Sequence, residues 1–139
     1  MRYDMEAIDN FNAEVLRNIE REAIYHPYGR HGVVDCRGIS YDILNNEQDL
    51  RLVVQTSAET AGITIMSLMA HNFDQQGITI CAVLAESHMS IHTYPEHGVA
   101  MLDVFTCGNV DPSHLLRLLI EALSPEEHSF RMIERGFRP

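Results

Sequence analysis

Ile78-Thr79-Ile80-Cys81-Ala82-Val83-Leu84 is apolar at both parities apart from a single hydroxyl. A strand half exposed to water alternates polar and apolar residues, so this run predicts a strand covered on both faces. Val99-Ala100-Met101-Leu102 reads the same way. Outward from these, further strands are expected at 32–39, 63–70 and 89–94, with the 99–102 run extending to 106 and an edge strand at 130–134. A helix is expected over 46–61, where Leu50, Val53, Val54, Ala58 and Ala61 share a face and Gly62 suits the position just past its end. A second follows Asp111-Pro112, with Leu115, Leu118, Leu119, Ala122 and Leu123 on one stripe. The order β-α-β-β-β-β-α-β predicts an α/β (α+β) sandwich, a mostly antiparallel sheet with helices on one face. Covering the other face calls for a second layer. Either a helix over 4–24, with Met5, Ile8, Val15 and Ile19 at helical spacing, or a second subunit's sheet supplies it, and the subunit is favoured.

The chain has 139 residues, room for one domain, and no repeat or linker divides it. Its net charge of −10 argues against a nucleic acid or an anionic membrane as partner and favours a small cationic ligand. All ten basic residues are Arg. Without lysine there is no pyridoxal-phosphate Schiff base and no Walker-type phosphate lysine. Cys36, Cys81 and Cys107 follow no disulfide spacing, MRYDMEAIDNFNAE has no apolar signal-peptide core, and the uncharged stretch between Glu59 and Asp74 is shorter than the ~18 residues of a membrane span. A reduced, cytoplasmic protein is expected.

The polar residues crowd into Glu86-Ser87-His88-Met89-Ser90-Ile91-His92-Thr93-Tyr94-Pro95-Glu96-His97, followed by Asp103 and Thr106-Cys107-Gly108. Because the cluster follows a wholly apolar strand, it emerges at the end of a buried element, where sites are commonly built. His88, His92 and His97, with His71, have spacings open to metal ligation, but neither H-E-x-x-H nor C-x-x-C occurs, and eight histidines cluster by chance. Ser87 or Ser90 with a histidine and Asp103 suggests a serine hydrolase, but neither serine lies in a G-x-S-x-G elbow.

A third possibility comes from likeness. Ala85-Glu86-Ser87-His88-Met89-Ser90-Ile91-His92-Thr93-Tyr94-Pro95-Glu96 and Asp103-Val104-Phe105-Thr106-Cys107-Gly108 resemble, at fixed spacing, the pyruvoyl-dependent S-adenosylmethionine decarboxylases of the bacterial and archaeal type. Gly29-Arg30-His31, His71-x-Phe73 and Glu134-Arg135-Gly136 extend the match, which covers about residues 29–137. The resemblance implies residues 1–28 as an N-terminal extension and 29–139 as a decarboxylase domain. It also implies a proenzyme that cuts itself between Glu86 and Ser87 into chains 1–86 and 87–139. Ser87 becomes the pyruvoyl group, the cofactor that forms a Schiff base with the substrate amine and accepts the electrons released with carbon dioxide. That group supplies the carbonyl a lysine-free protein otherwise lacks.

By the same resemblance, His92 is the proton acceptor in processing, a task suited to a neutral imidazole. Cys107 is the proton donor in catalysis; a thiol of ordinary pKa, ~8.5, still holds its proton at neutral pH. Thr79 stands where the family commonly has a processing serine. Phe73, Glu96 and His71 fall at substrate-side positions, Phe73 suited to stack on adenine and Glu96 to bind ribose hydroxyls or a substrate cation. The implied assembly is a sheet-to-sheet homodimer with active sites at or near the interface, and the implied pathway is spermidine synthesis. The departures lie where substrate is held: Val33-Val34-Asp35 after the first motif, Tyr94 for the common Trp, and Asp74-Gln75-Gln76 in the loop after Phe73. Asp74 or Asp35 offers a carboxylate for a side-chain cation, so an ornithine or arginine decarboxylase on the same scaffold is the alternative. A non-catalytic homologue is a further possibility, though Ser87, His92 and Cys107 are all retained.

Overall fold

The computed structural model describes residues 13–14 and 26–139. The helix expected over 4–24 lies outside the described residues except for Ala13 and Glu14, which are helical. From residue 28 the chain runs β1 (Tyr28–Arg37), α1 (Tyr41–Leu44), α2 (Glu47–Thr60), β2 (Ile65–Asn72), β3 (Ile78–Leu84) and β4 (Ser87–Tyr94). A single 3-10 turn (Pro95–His97) leads into β5 (Val99–Cys107), α3 (Ser113–Leu123) and β6 (Glu127–Gly136). All six strands join one sheet in the order β2-β3-β4-β5-β1-β6. Every neighbouring pair is antiparallel. The expected sandwich is present, with α1, absent from the sequence reading, added before α2.

Helix ends follow local chemistry. The Asn46 side chain caps α2 by accepting the Asp49 N–H at 3.1 Å. The helix closes in a Schellman turn: Ile63 N–H bonds Ala58 C=O at 2.8 Å and Gly62 N–H bonds Glu59 C=O at 3.2 Å. Gly62 stands at φ +71°, where a side chain is strained. Asp111 accepts the Ser113 N–H at 2.9 Å, and α3 starts one residue later than the sequence suggests. The helical stripes, Leu50, Val54 and Ala58 with Leu115, Leu116, Leu119 and Leu123, bury against Val34, Ile78, Ile80, Met89, Ile91, Leu102 and Val104 of the sheet. Each such large side chain contributes roughly 1.5–3 kcal/mol by leaving water. The α3 contact is close: a Cβ on Gly32 of β1 would meet Leu116 Cδ1 at 2.3 Å.

All of this covers one face. On the other, the second apolar parity of the long strands points outward: Val83 is 55% exposed, Met69 74% and Met101 45%. In the single chain β3 therefore alternates after all. Among the described residues no second layer covers this open face, and the residues singled out for chemistry cluster along it.

Candidate active site

β3 and β4 are joined by a two-residue turn, Ala85-Glu86, so that Leu84 pairs with Ser87. Ser87, the first residue of β4, is held at φ 153°, a conformation that costs an L-residue about 1–3 kcal/mol. The surrounding ladder maintains it. Ala85 N–H bonds Thr64 C=O at 2.9 Å, and the Glu86 carbonyl, which precedes the Ser87 nitrogen, accepts the Cys107 N–H at 2.9 Å. The buried Glu86 side chain accepts the Thr64 N–H at 3.3 Å. Burial pushes that carboxyl above its usual range, against the lowering effect of the Glu86 and Thr64 backbone N–H groups.

Register brings Cys107 to the same place, because Ser87 pairs with Thr106 at the end of β5. Ser87 and Cys107 line a cavity of about 440 Å³ with Phe105, Arg135, His26 and Tyr28. The expected domain boundary at residue 28 therefore falls at the first residue of β1, within the cavity wall.

The remaining candidates gather at the opposite end of the sheet. Thr79 Oγ1 and His92 Nδ1 are 3.1 Å apart across β3 and β4. They line a second cavity, about 560 Å³, with Phe73, Asp74, Tyr94 and Glu96. His71 pairs with Thr79 in register and meets Phe73 edge to face, ring centroids 4.8 Å apart. Ser87 and His92 are five positions apart on one straight strand, about 17 Å at ~3.4 Å per residue. Within one chain the candidates thus form two separate groups, one at each end of β4. Of the two acids considered for a side-chain cation, Asp74 joins the second cavity, whereas Asp35 lies on an edge groove with Glu127 and His128.

Between the two ends the open face carries a polar group. Asp103 Oδ2 lies 2.6 Å from His31 Nε2 and 3.5 Å from His88 Nε2, and Asp103 Oδ1 accepts the Ser90 hydroxyl. Burial pushes the Asp103 carboxyl up, but the hydrogen bonds from Ser90 and His31 and the adjacent imidazoles outweigh it and hold it below the usual carboxylate range. This geometry bears on two sequence readings. Ser90 bonds Asp103 directly with no imidazole between them, so no hydrolase relay forms there. The four histidines considered for a metal separate: His88 to Asp103, His92 to Thr79, His71 to Phe73 and His97 toward Glu96 at 3.9 Å. Among the described residues a different trio, His31, His88 and Asp103, places one ligand atom each within 4.8 Å of the others.

Sequence reasoning had no access to two components. The Cys107 amide on the Glu86 carbonyl depends on the β4–β5 register, which no local motif encodes. The wall formed by His26 and Tyr28 lies before the recognised motifs, and only the closing of β1 onto β5 and β6 puts it there.

Residues 30–136 match the family model described as S-adenosylmethionine decarboxylase. The chain is 42% identical over 113 residues to the S-adenosylmethionine decarboxylase proenzyme of Brevibacillus brevis, covering 81% of this chain and 85% of that one. To the proenzyme of Prochlorococcus marinus it is 41% identical over 108 residues, covering 77% and 86%. The crystal structure of the adenosylmethionine decarboxylase from Aquifex aeolicus superposes with a TM-score of 0.75 at 34% identity, covering 82% of this chain and 95% of that one. This lysine-free chain, with its strained serine beside a cysteine at the sheet's end, belongs to the S-adenosylmethionine decarboxylase family.

Proposed function

We propose that this chain is a self-processing decarboxylase that converts S-adenosylmethionine to its decarboxylated form and carbon dioxide, with a pyruvoyl group made from Ser87. The observation that carries this is the scissile geometry: a serine at φ 153° whose preceding carbonyl is already polarised by the Cys107 N–H. Ser87 Oγ adds to the Glu86 carbonyl carbon, the developing oxyanion is stabilised by that N–H, and the Glu86–Ser87 C–N bond breaks to leave an ester. Loss of the Ser87 α-proton expels the Glu86 carboxylate. Hydrolysis of the resulting dehydroalanine releases ammonia, leaving chains 1–86 and 87–139. When present, the pyruvoyl carbonyl supplies an electron sink for a substrate amine. Cys107, in the same cavity, returns a proton to the substrate carbon.

His92 serves as the processing base, oriented by Thr79, but it acts in a partner. A base must come within ~2.6–3.2 Å of its proton, and ~17 Å of rigid strand separates His92 from Ser87 of its own chain. Two copies packed open face to open face about a two-fold axis near the middle of β4 bring the partner's His92 to Ser87. The same packing covers Met69, Val83 and Met101. The partner's Phe73 then provides an aromatic wall for adenine and the partner's Glu96 an acceptor for ribose hydroxyls, a better fit to a nucleoside than to ornithine.

Denaturing intact-mass spectrometry tests the processing step. Expected are two chains ending at Glu86 and starting at position 87, the second lighter by one ammonia than a serine terminus. A single chain after long incubation overturns self-processing. Turnover of ornithine or arginine in place of S-adenosylmethionine overturns the substrate assignment.

A further inference from the structure

The Ser87–Cys107 cavity has a cationic wall in a chain of net charge −10. Arg135 of β6 supplies it, positioned by register: Gly29 of β1 pairs with Cys107 on one side and with Arg135 on the other. A glycine between two long strands leaves the floor of that cross-strand row without a side chain, so cysteine and arginine border one space.

Its neighbours leave the charge of Arg135 uncompensated. The guanidinium carbon sits 4.9 Å from the centroid of Phe105, and one of its nitrogens lies 3.4 Å from His31 Nδ1. The other ring nitrogen, His31 Nε2, lies 2.6 Å from Asp103 Oδ2, so Asp103 is engaged by the imidazole and not by the guanidinium. The His31 ring thus stands between Arg135 and Asp103, the nearest acid in that network. The adjacent Glu134 turns to Arg138 at 3.8 Å, and among the described residues no carboxylate pairs with Arg135. Five donors in a planar fork, steadied on an aromatic face and lacking an anion, suit a carboxylate.

We infer that Arg135 is the substrate's α-carboxylate receptor. The inference rests on the decarboxylase function proposed above: the reacting amine and the carboxylate share one carbon, so a substrate anchored at position 87 presents its carboxylate inside this cavity. The pairing is temporary by construction. As the C–C bond breaks, the anion leaves as neutral carbon dioxide, its electron pair passes to the sink, and Cys107 supplies the proton. The product, with no carboxylate, then faces an unpaired guanidinium. Arg135 thus favours substrate over product and assists release, and because its contact weakens as the bond breaks it serves binding rather than lowering the barrier.

R135Q and R135K are first checked by intact mass for the ammonia-deficient 87–139 chain. On processed protein, the KM for S-adenosylmethionine is then compared with the calorimetric Kd of its decarboxylated product. Loss of a charged, two-point contact raises KM roughly tenfold to a hundredfold in R135Q. Meanwhile kcat is unchanged or higher, product binding is unchanged or tighter, and R135K recovers part of the KM loss. Parallel weakening of substrate and product, or no change in either, overturns the inference. A second arm needs no variant: the carboxyl methyl ester of S-adenosylmethionine, tested as competitor on wild-type protein, binds about tenfold more weakly than the acid, and equal binding overturns it too. If wild-type protein processes itself but turns over only ornithine or arginine, the substrate assignment fails and the same comparison is run with that amino acid and its amine.

Discussion

Two inactive variants should restore each other. S87A lacks the hydroxyl that starts cleavage and H92A lacks the base, so neither alone yields the ammonia-deficient chain. Ser87 and His92 lie five positions apart in β4, about 17 Å, whereas proton transfer needs ~3 Å, so each chain must borrow the other's histidine. In a mixed dimer Ser87 of the H92A chain meets the intact His92 of the S87A chain, giving one complete site and one doubly dead site. Equal amounts pairing at random make about half of the dimers mixed. About half of the H92A chains, and about a quarter of all chains, then acquire the blocked terminus. The assay is co-refolding, native mass spectrometry to count mixed dimers, and denaturing mass spectrometry to count cut chains. Mixed dimers without cleavage would falsify the composite site, as would H92A processing alone at the wild-type rate.

Three further outcomes are expected. C107S keeps the Cys107 backbone N–H on the Glu86 carbonyl, so it still processes, but loses the thiol; kcat falls by ~10²-fold or more, and wild-type turnover in C107S removes the thiol from its role. Uncleaved S87G unfolds at a higher temperature than uncleaved S87A, because relief of ~1–3 kcal/mol of strain at φ 153° exceeds the ~0.5–1 kcal/mol that glycine ordinarily costs; the opposite order in a thermal melt means the position stores no strain. Asp103 titrates below the usual carboxylate range in the folded state, so its ionised form adds stability above about pH 4 that is lost as pH falls through its lowered pKa. D103N is therefore less stable than wild type at neutral pH, and the gap in denaturant midpoint narrows below about pH 4. A gap constant across that range shows that the Asp103 carboxylate is not the source.

Most of the scaffold was legible because its signals are local. Gly62 past α2, Asp111 before α3 and Leu115, Leu119 and Leu123 of α3 each act within one or two helical turns, although α3 buries Leu116 and leaves Ala122, expected on the stripe, exposed. The strand ends were less legible. β1 begins at Tyr28 rather than near residue 32, and β6 spans Glu127–Gly136 rather than 130–134. Gly29, Arg30 and the polar residues 127–129 carry no apolar signal and become strand only by pairing with each other's neighbours. α1 escaped notice because four residues are too few to show a helical period. The two-sided apolar pattern of β3 places Val83 on a surface that the single chain leaves bare.

The site was legible as a set of residues and illegible as a geometry. Glu86-Ser87-His88 through Glu96 is contiguous in sequence, which suggests one crowded centre; a strand instead holds Ser87 and His92 ~17 Å apart. Strand geometry also explains why the centre is built at a turn. In the proposed mechanism this lysine-free chain makes its electrophile from backbone, and a peptide carbonyl inside a ladder is stabilised and hard to attack. At the Ala85-Glu86 turn the ladder instead holds the following serine in a conformation L-residues avoid and points an amide at the carbonyl to be attacked. The proposed cleavage removes the Ser87 nitrogen, and with it the strained φ dihedral. Under the proposed mechanism the strain belongs to the precursor, maintained by β3, β4 and β5, and its relief favours processing without disturbing the Cys107 cavity.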